Sequence, residues 1–69
     1  MTLTQVEPGR DYIIHAVTGE EEVRGHLQDM GFVPGTKLSI ISSNHGNLIV
    51  SVKGSRVAVD AKLAQYVLV

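Results

Sequence analysis

The run Leu27-Gln28-Asp29-Met30-Gly31-Phe32-Val33-Pro34-Gly35-Thr36 obliges the backbone to change course twice within ten residues. Leu27 and Met30 are three apart and share a helical face. Gly31 follows where a helix stops, because glycine enters the left-handed region without a Cβ clash. Val33-Pro34-Gly35-Thr36 then reads as a type II turn, with proline presetting φ at its second position and glycine supplying positive φ at its third. Beyond Thr36 the apolar period changes from helical to alternating. The segment is therefore a helix-to-strand corner, and it holds no thiol and no phosphate-cradling loop.

The flanking sequence supplies the elements that meet there. Arg10 to Val17 alternates enough for a strand, with Tyr12, Ile14 and Ala16 on one side and Ile13 and Val17 on the other. Thr18-Gly19-Glu20-Glu21 matches a capping box, and its acids suit the positive end of a helix. The helix runs to about Met30, and Val23, Leu27 and Met30 fall within about 60° of one another. Gly25 points away from that stripe. Thr36 to Ser42 and Asn47 to Lys53 read as strands around an Asn44-His45-Gly46-Asn47 turn, with Leu38, Ile40, Leu48, Val50 and Val52 inward. Lys53-Gly54-Ser55-Arg56 turns into Val57, Ala58 and Val59. Asp60 can cap a short helical turn, and Tyr66 to Val69 is a last strand expected to pair near the first. The expected fold is mainly β: a single domain over residues 1–69, built as a small barrel of about five strands. One α-helix follows the first strand, and a short helical turn precedes the last.

Composition narrows the function. Sixty-nine residues with 43% apolar content make one small core, and only Tyr12, Phe32 and Tyr66 are aromatic. Without cysteine there are no disulfides, thiolate metal sites or cysteine nucleophiles, which fits a reducing cytosol. The first residues do not read as a signal peptide, and no apolar run approaches the ~20 residues that span a bilayer. The net charge of −1 argues against nucleic-acid binding. Residues 1–35 hold six acids and two bases, giving −4, whereas residues 36–69 hold one acid and four bases, giving +3. Such polarity suits docking to a protein with a matching field.

L-x-x-M-G-F-x-P-G-T at Leu27–Thr36 resembles the signature of the FeoA family, the small accessory proteins of bacterial ferrous iron transport. Leu3, Val6, Pro8 and Gly9 match the family's opening, and Val52, Gly54, Val57, Ala58, Val59, Ala64, Val67 and Val69 match its closing pattern. Gly25 and the polar loop Ser42–Asn47 depart from it. The same module is similar to the SH3-like C-terminal domain of iron-dependent repressors. The resemblance implies an SH3-like barrel in the cytoplasm that docks to a FeoB-type membrane ferrous iron transporter and biases its conformation. The alternative is a free-standing regulatory SH3-like domain that binds a peptide or a divalent metal.

The chain's own chemistry is sparse. No serine stands in a nucleophile elbow, and the glycines form neither G-x-G-x-x-G nor a P-loop, so no catalysis is expected. His15 and His45 lack ligand-spaced neighbours. Glu22, His26 and Asp29 lie at i−4, i and i+3, within about 60° on one helix flank. They are the only candidates for a weak divalent metal site; an exposed flank without supporting hydrogen bonds reads first as solvated charge. Three aromatics do not build a groove for proline-rich peptides or a stacking platform. The remaining reading is protein interaction, with Phe32 and Val33 as apolar contacts at the corner and Lys53 and Arg56 as electrostatic ones.

Overall fold

The computed structural model describes all of residues 1–69. A 3-10 turn over Leu3–Gln5 precedes strands β1 (Asp11–Ile13) and β2 (Ala16–Val17), helix α1 (Glu21–Asp29), strands β3 (Lys37–Asn44), β4 (Asn47–Val52) and β5 (Ser55–Val59), helix α2 (Ala61–Ala64) and strand β6 (Val67–Leu68). There are six strands rather than five, and they form two antiparallel sheets rather than one closed barrel. One has the order β1-β3-β4-β5, and the other pairs β2 with β6.

The extra strand has a local cause. The expected single strand over Arg10 to Val17 changes partner midway. The Ile14 N–H donates to the Thr36 carbonyl at 2.9 Å, and the next N–H, of His15, donates to the Leu68 carbonyl at 2.7 Å. One alternating run therefore serves two sheets, and the last strand does pair with its second half.

The corner at residues 27–36 forms as its glycines require. The Gly31 N–H donates to the Gln28 carbonyl at 2.9 Å and the Phe32 N–H to that of Leu27 at 3.0 Å, with Gly31 at φ 99°. This is the Schellman arrangement, which satisfies two carbonyls of the last helical turn. The Thr36 N–H closes the following turn on the Val33 carbonyl at 3.1 Å, with Gly35 at φ 89°. The Gly35 N–H also donates to the Ile14 carbonyl at 2.7 Å, which straps the turn to the point where β1 and β2 part.

The capping box expected at Thr18 does not form. Helix α1 starts at Glu21 with Glu20 as its N-cap and no side-chain cap bond. The Thr18 hydroxyl instead donates to the Tyr66 carbonyl at 3.2 Å, the same oxygen that takes the Thr18 N–H. A capping box is present at the chain's first turn, between Thr2 and Gln5. Asp60 caps α2 as expected, accepting from the Leu63 N–H at 2.9 Å.

Thirteen apolar residues form the core, and no polar side chain is buried with them. Strand parity holds: Leu38, Ile40, Leu48, Val50, Val52 and Val59 are inside, and Ile49 faces out. Ile41 is an extra residue in β3, because pairing steps from Ile40–Val50 to Ser42–Ile49. Such a bulge sharpens the local twist and bends the strand.

Candidate interaction surface

A groove of about 650 Å³ is lined by residues of both helices and of strands β3, β4 and β5. Its apolar wall is made by Met30 of the corner, Leu63 of α2, Ile49 of β4 and Ala58 of β5. His26, Asn47 and Asp60 supply polar atoms around it. Each wall has a structural origin. The Schellman stop sets where Met30 ends α1, the Asp60 cap fixes the first turn of α2, and outward parity brings Ile49 and Ala58 side by side across the β4–β5 ladder. Ile49 is 42% exposed, a large apolar side chain left facing water. The arrangement can bind an apolar side chain or backbone segment, and it presents no paired nucleophile and base.

A second hollow of about 570 Å³ runs along the neighbouring flank of α1 and includes Glu21, Glu22, Gly25, His26 and Asp29. Glu22, His26 and Asp29 do share this flank, and all three are exposed. The structure does not draw them, or any other three histidine and carboxylate groups, into a cluster able to hold a metal ion. Helical spacing puts side chains on one face, but their free rotamers point into water unless something packs them together. His15 and His45 are exposed and separate, His45 at the hairpin tip.

The expected contact residues divide. Phe32 is 1% exposed and belongs to the core, so it is corrected from a surface contact to a structural one. Its position just after the Schellman glycine carries the chain back under the helix. Val33 is half-buried. Lys53 and Arg56 are exposed, at the tip and second rung of the β4–β5 hairpin, and neither forms an ion pair. The two ion pairs present are Glu7–Arg10 at 3.7 Å and Asp11–Lys37 at 3.3 Å, both on the surface. Asp11 is held below the usual carboxylate range, first by the Ser39 side chain opposite it and then by the Lys37 ammonium.

The sequence reading missed Ile49, Ala58 and Leu63 as one surface. Ile49 and Ala58 were legible as outward positions. Their meeting with Leu63 depends on where α2 lies, which no local pattern encodes.

Comparison with known proteins gives this arrangement a family. The FeoA domain model matches residues 1–69. No curated protein sequence matches. Among solved structures, the iron uptake regulatory protein FeoA shares 31% identity over 97% of this chain and 93% of its own, with a TM-score of 0.89. FeoA of Stenotrophomonas maltophilia in complex with zinc, a procaryotic SH3 domain protein, has a TM-score of 0.84 at 22% identity over 99% of this chain and 87% of its own. A manganese-dependent transcriptional repressor has a TM-score of 0.88 at 13% identity, with 97% of this chain covering 39% of that one. These last two likenesses establish a shared SH3-like fold. No helix here is long and apolar enough to cross a membrane. With the family model spanning residues 1–69 and a 31% identical FeoA superposing on nearly all of it, the chain belongs to the FeoA family, associated with ferrous iron transport.

Proposed function

We propose that this protein is a cytoplasmic accessory factor that docks to the cytosolic part of a FeoB-type ferrous iron transporter. The observation that carries the reading is the FeoA domain match over residues 1–69. The Stenotrophomonas maltophilia relative, put forward as a ferrous iron transport activating factor, points the same way. The surface suits docking rather than chemistry: an apolar groove, two unpaired cations at Lys53 and Arg56, and no convergent reactive groups. An accessory factor of this kind acts by binding one transporter conformation more tightly than another, and it shifts the population by no more than that difference. Deleting it should slow ferrous uptake while transporter abundance stays constant, and the purified chain should co-elute with the transporter's cytosolic domain at low salt. Normal uptake combined with no association would remove the proposal.

The zinc complex of the Stenotrophomonas maltophilia relative supports a second reading, a regulatory domain that takes a divalent ion. In this chain its residues would be Glu22, His26 and Asp29. Calorimetry with Zn²⁺ or Fe²⁺ should give only weak heats, reduced further in His26→Ala. A submicromolar, His26-dependent dissociation constant would establish the metal reading instead.

A further inference from the structure

We infer that the outer edge of β5 accepts an extended, acidic segment of a partner protein as an additional strand. β5 is an end strand of its four-stranded sheet, and none of its backbone groups bonds to anything but β4. The β4–β5 turn is a two-residue one, with Lys53 at φ 53° and Gly54 at φ 79°, flanked by the pair Val52–Ser55. In such hairpins the flanking pair is hydrogen-bonded, and bonded pairs alternate along the ladder. Ser55, Val57 and Val59 therefore turn their N–H and C=O toward β4. Arg56 and Ala58 turn theirs outward, leaving two donors and two acceptors at the spacing an antiparallel strand requires.

The side chains around this edge define what would pair with it. Arg56 and Ala58 stand exposed on the outer face, with Ile49 beside Ala58 across the ladder. On the inner face Val57 is only half-buried, so a new strand would complete its cover. Arg56 and the nearby Lys53 have no acidic partner. Side chains directly opposite on a ladder lie about 5 Å apart. An incoming strand thus gains from an acidic residue opposite Arg56 and, two positions along, an apolar residue opposite Ala58 that reaches Ile49. A second copy of this chain is a poorer occupant, because an identical edge brings the same two cations. Main-chain bonds supply affinity and the alternate side chains supply specificity, as in other strand additions.

This inference rests on the docking reading and names the chemistry of the segment that docks. The test uses the full chain, isotopically labelled, and a capped octapeptide in which glutamate and valine alternate at every second position with threonine between. Amide shifts and slowed exchange are expected at Arg56 and Ala58. Affinity should fall about tenfold or more with a peptide carrying lysine for glutamate, with Arg56→Glu, and with Ala58→Pro, which removes an outward N–H while leaving the β4 ladder intact. No shift at about 1 mM peptide, equal binding of the lysine peptide, or shifts elsewhere would overturn it. So would a dimer of the free chain that Ala58→Pro dissolves. If both variants bind the peptide and the transporter's cytosolic domain as the parent does, the edge is refuted and docking stands. If the peptide binds as expected but the transporter domain does not, the edge stands and the transporter is the wrong partner.

Discussion

Gly35 and Asp11 show how single residues act here through backbone conformation and through charge. At φ 89° Gly35 sits where a side chain is strained, although a Cβ there would meet no neighbour within 4 Å. The penalty of a substitution is therefore conformational rather than steric. Gly35→Val should cost roughly 1–3 kcal/mol. A thermal melt within a degree of the parent would show that the turn does not need that φ. Gly19 differs, because a Cβ would lie 2.9 Å from the Tyr66 ring. Asp11 sets a pH dependence. Its folded pKa is below the ordinary 3.8, so its contribution is present at neutral pH and is lost as pH falls through the folded value. Urea midpoints measured from pH 6 downward should fall less steeply in Asp11→Asn than in the parent below about pH 4. Parallel curves would mean that the Ser39 and Lys37 contacts do not favour the carboxylate.

Helix α1 is the element most open to improvement, and it is also where sequence patterns were least sufficient. Gly25 lies in its interior, exposed, and a methyl group placed on its Cα would meet nothing within 4 Å. Gly25→Ala should stabilise by about 0.8–1 kcal/mol, which raises Tm by about 4–8 °C in a domain of this size. An unchanged or lowered Tm would mean that the methyl meets something in solution or that α1 is not formed there. The helix's end was legible because C′ of a Schellman motif takes the left-handed conformation, which glycine adopts without a Cβ penalty. Its start was not, because Thr18 can cap a helix or bond the chain passing beside it, and only the tertiary position of Tyr66 decides which. The split of β1 from β2 has the same character. An alternating run announces a strand but does not announce which strand takes each half.

For the molecule as a whole, the fold followed from the corner and the strand parity, whereas the surface did not. Phe32 looks like a contact residue in the sequence and is core in the structure. Ile49, Ala58 and Leu63 line one groove only once β4, β5 and α2 are assembled. Folding mixes the two halves of the charge division in part, since Lys37 of the second half pairs with Asp11 of the first. All but two bases lack an acidic partner within ion-pair distance, and both existing pairs lie in water, where they contribute little. Lys53 and Arg56 project together from one hairpin, whereas Glu20, Glu21 and Glu22 cluster at the start of α1. If the partner proposed above meets the Lys53–Arg56 hairpin with an acidic surface, encounter is steered electrostatically and the association rate carries most of the effect. With the transporter's cytosolic domain immobilised, raising salt from about 50 to 500 mM should slow association several-fold while dissociation changes little, since the Debye length shrinks to a few ångströms. Lys53→Glu with Arg56→Glu should reproduce the slower association at low salt and leave the Tm within a few degrees, because neither residue packs in the core. Truncating Ile49 or Leu63 to alanine should instead speed dissociation with the salt slope unchanged. If salt and the charge reversals leave the association rate unchanged, steering plays no part, whatever contact Arg56 makes in the complex.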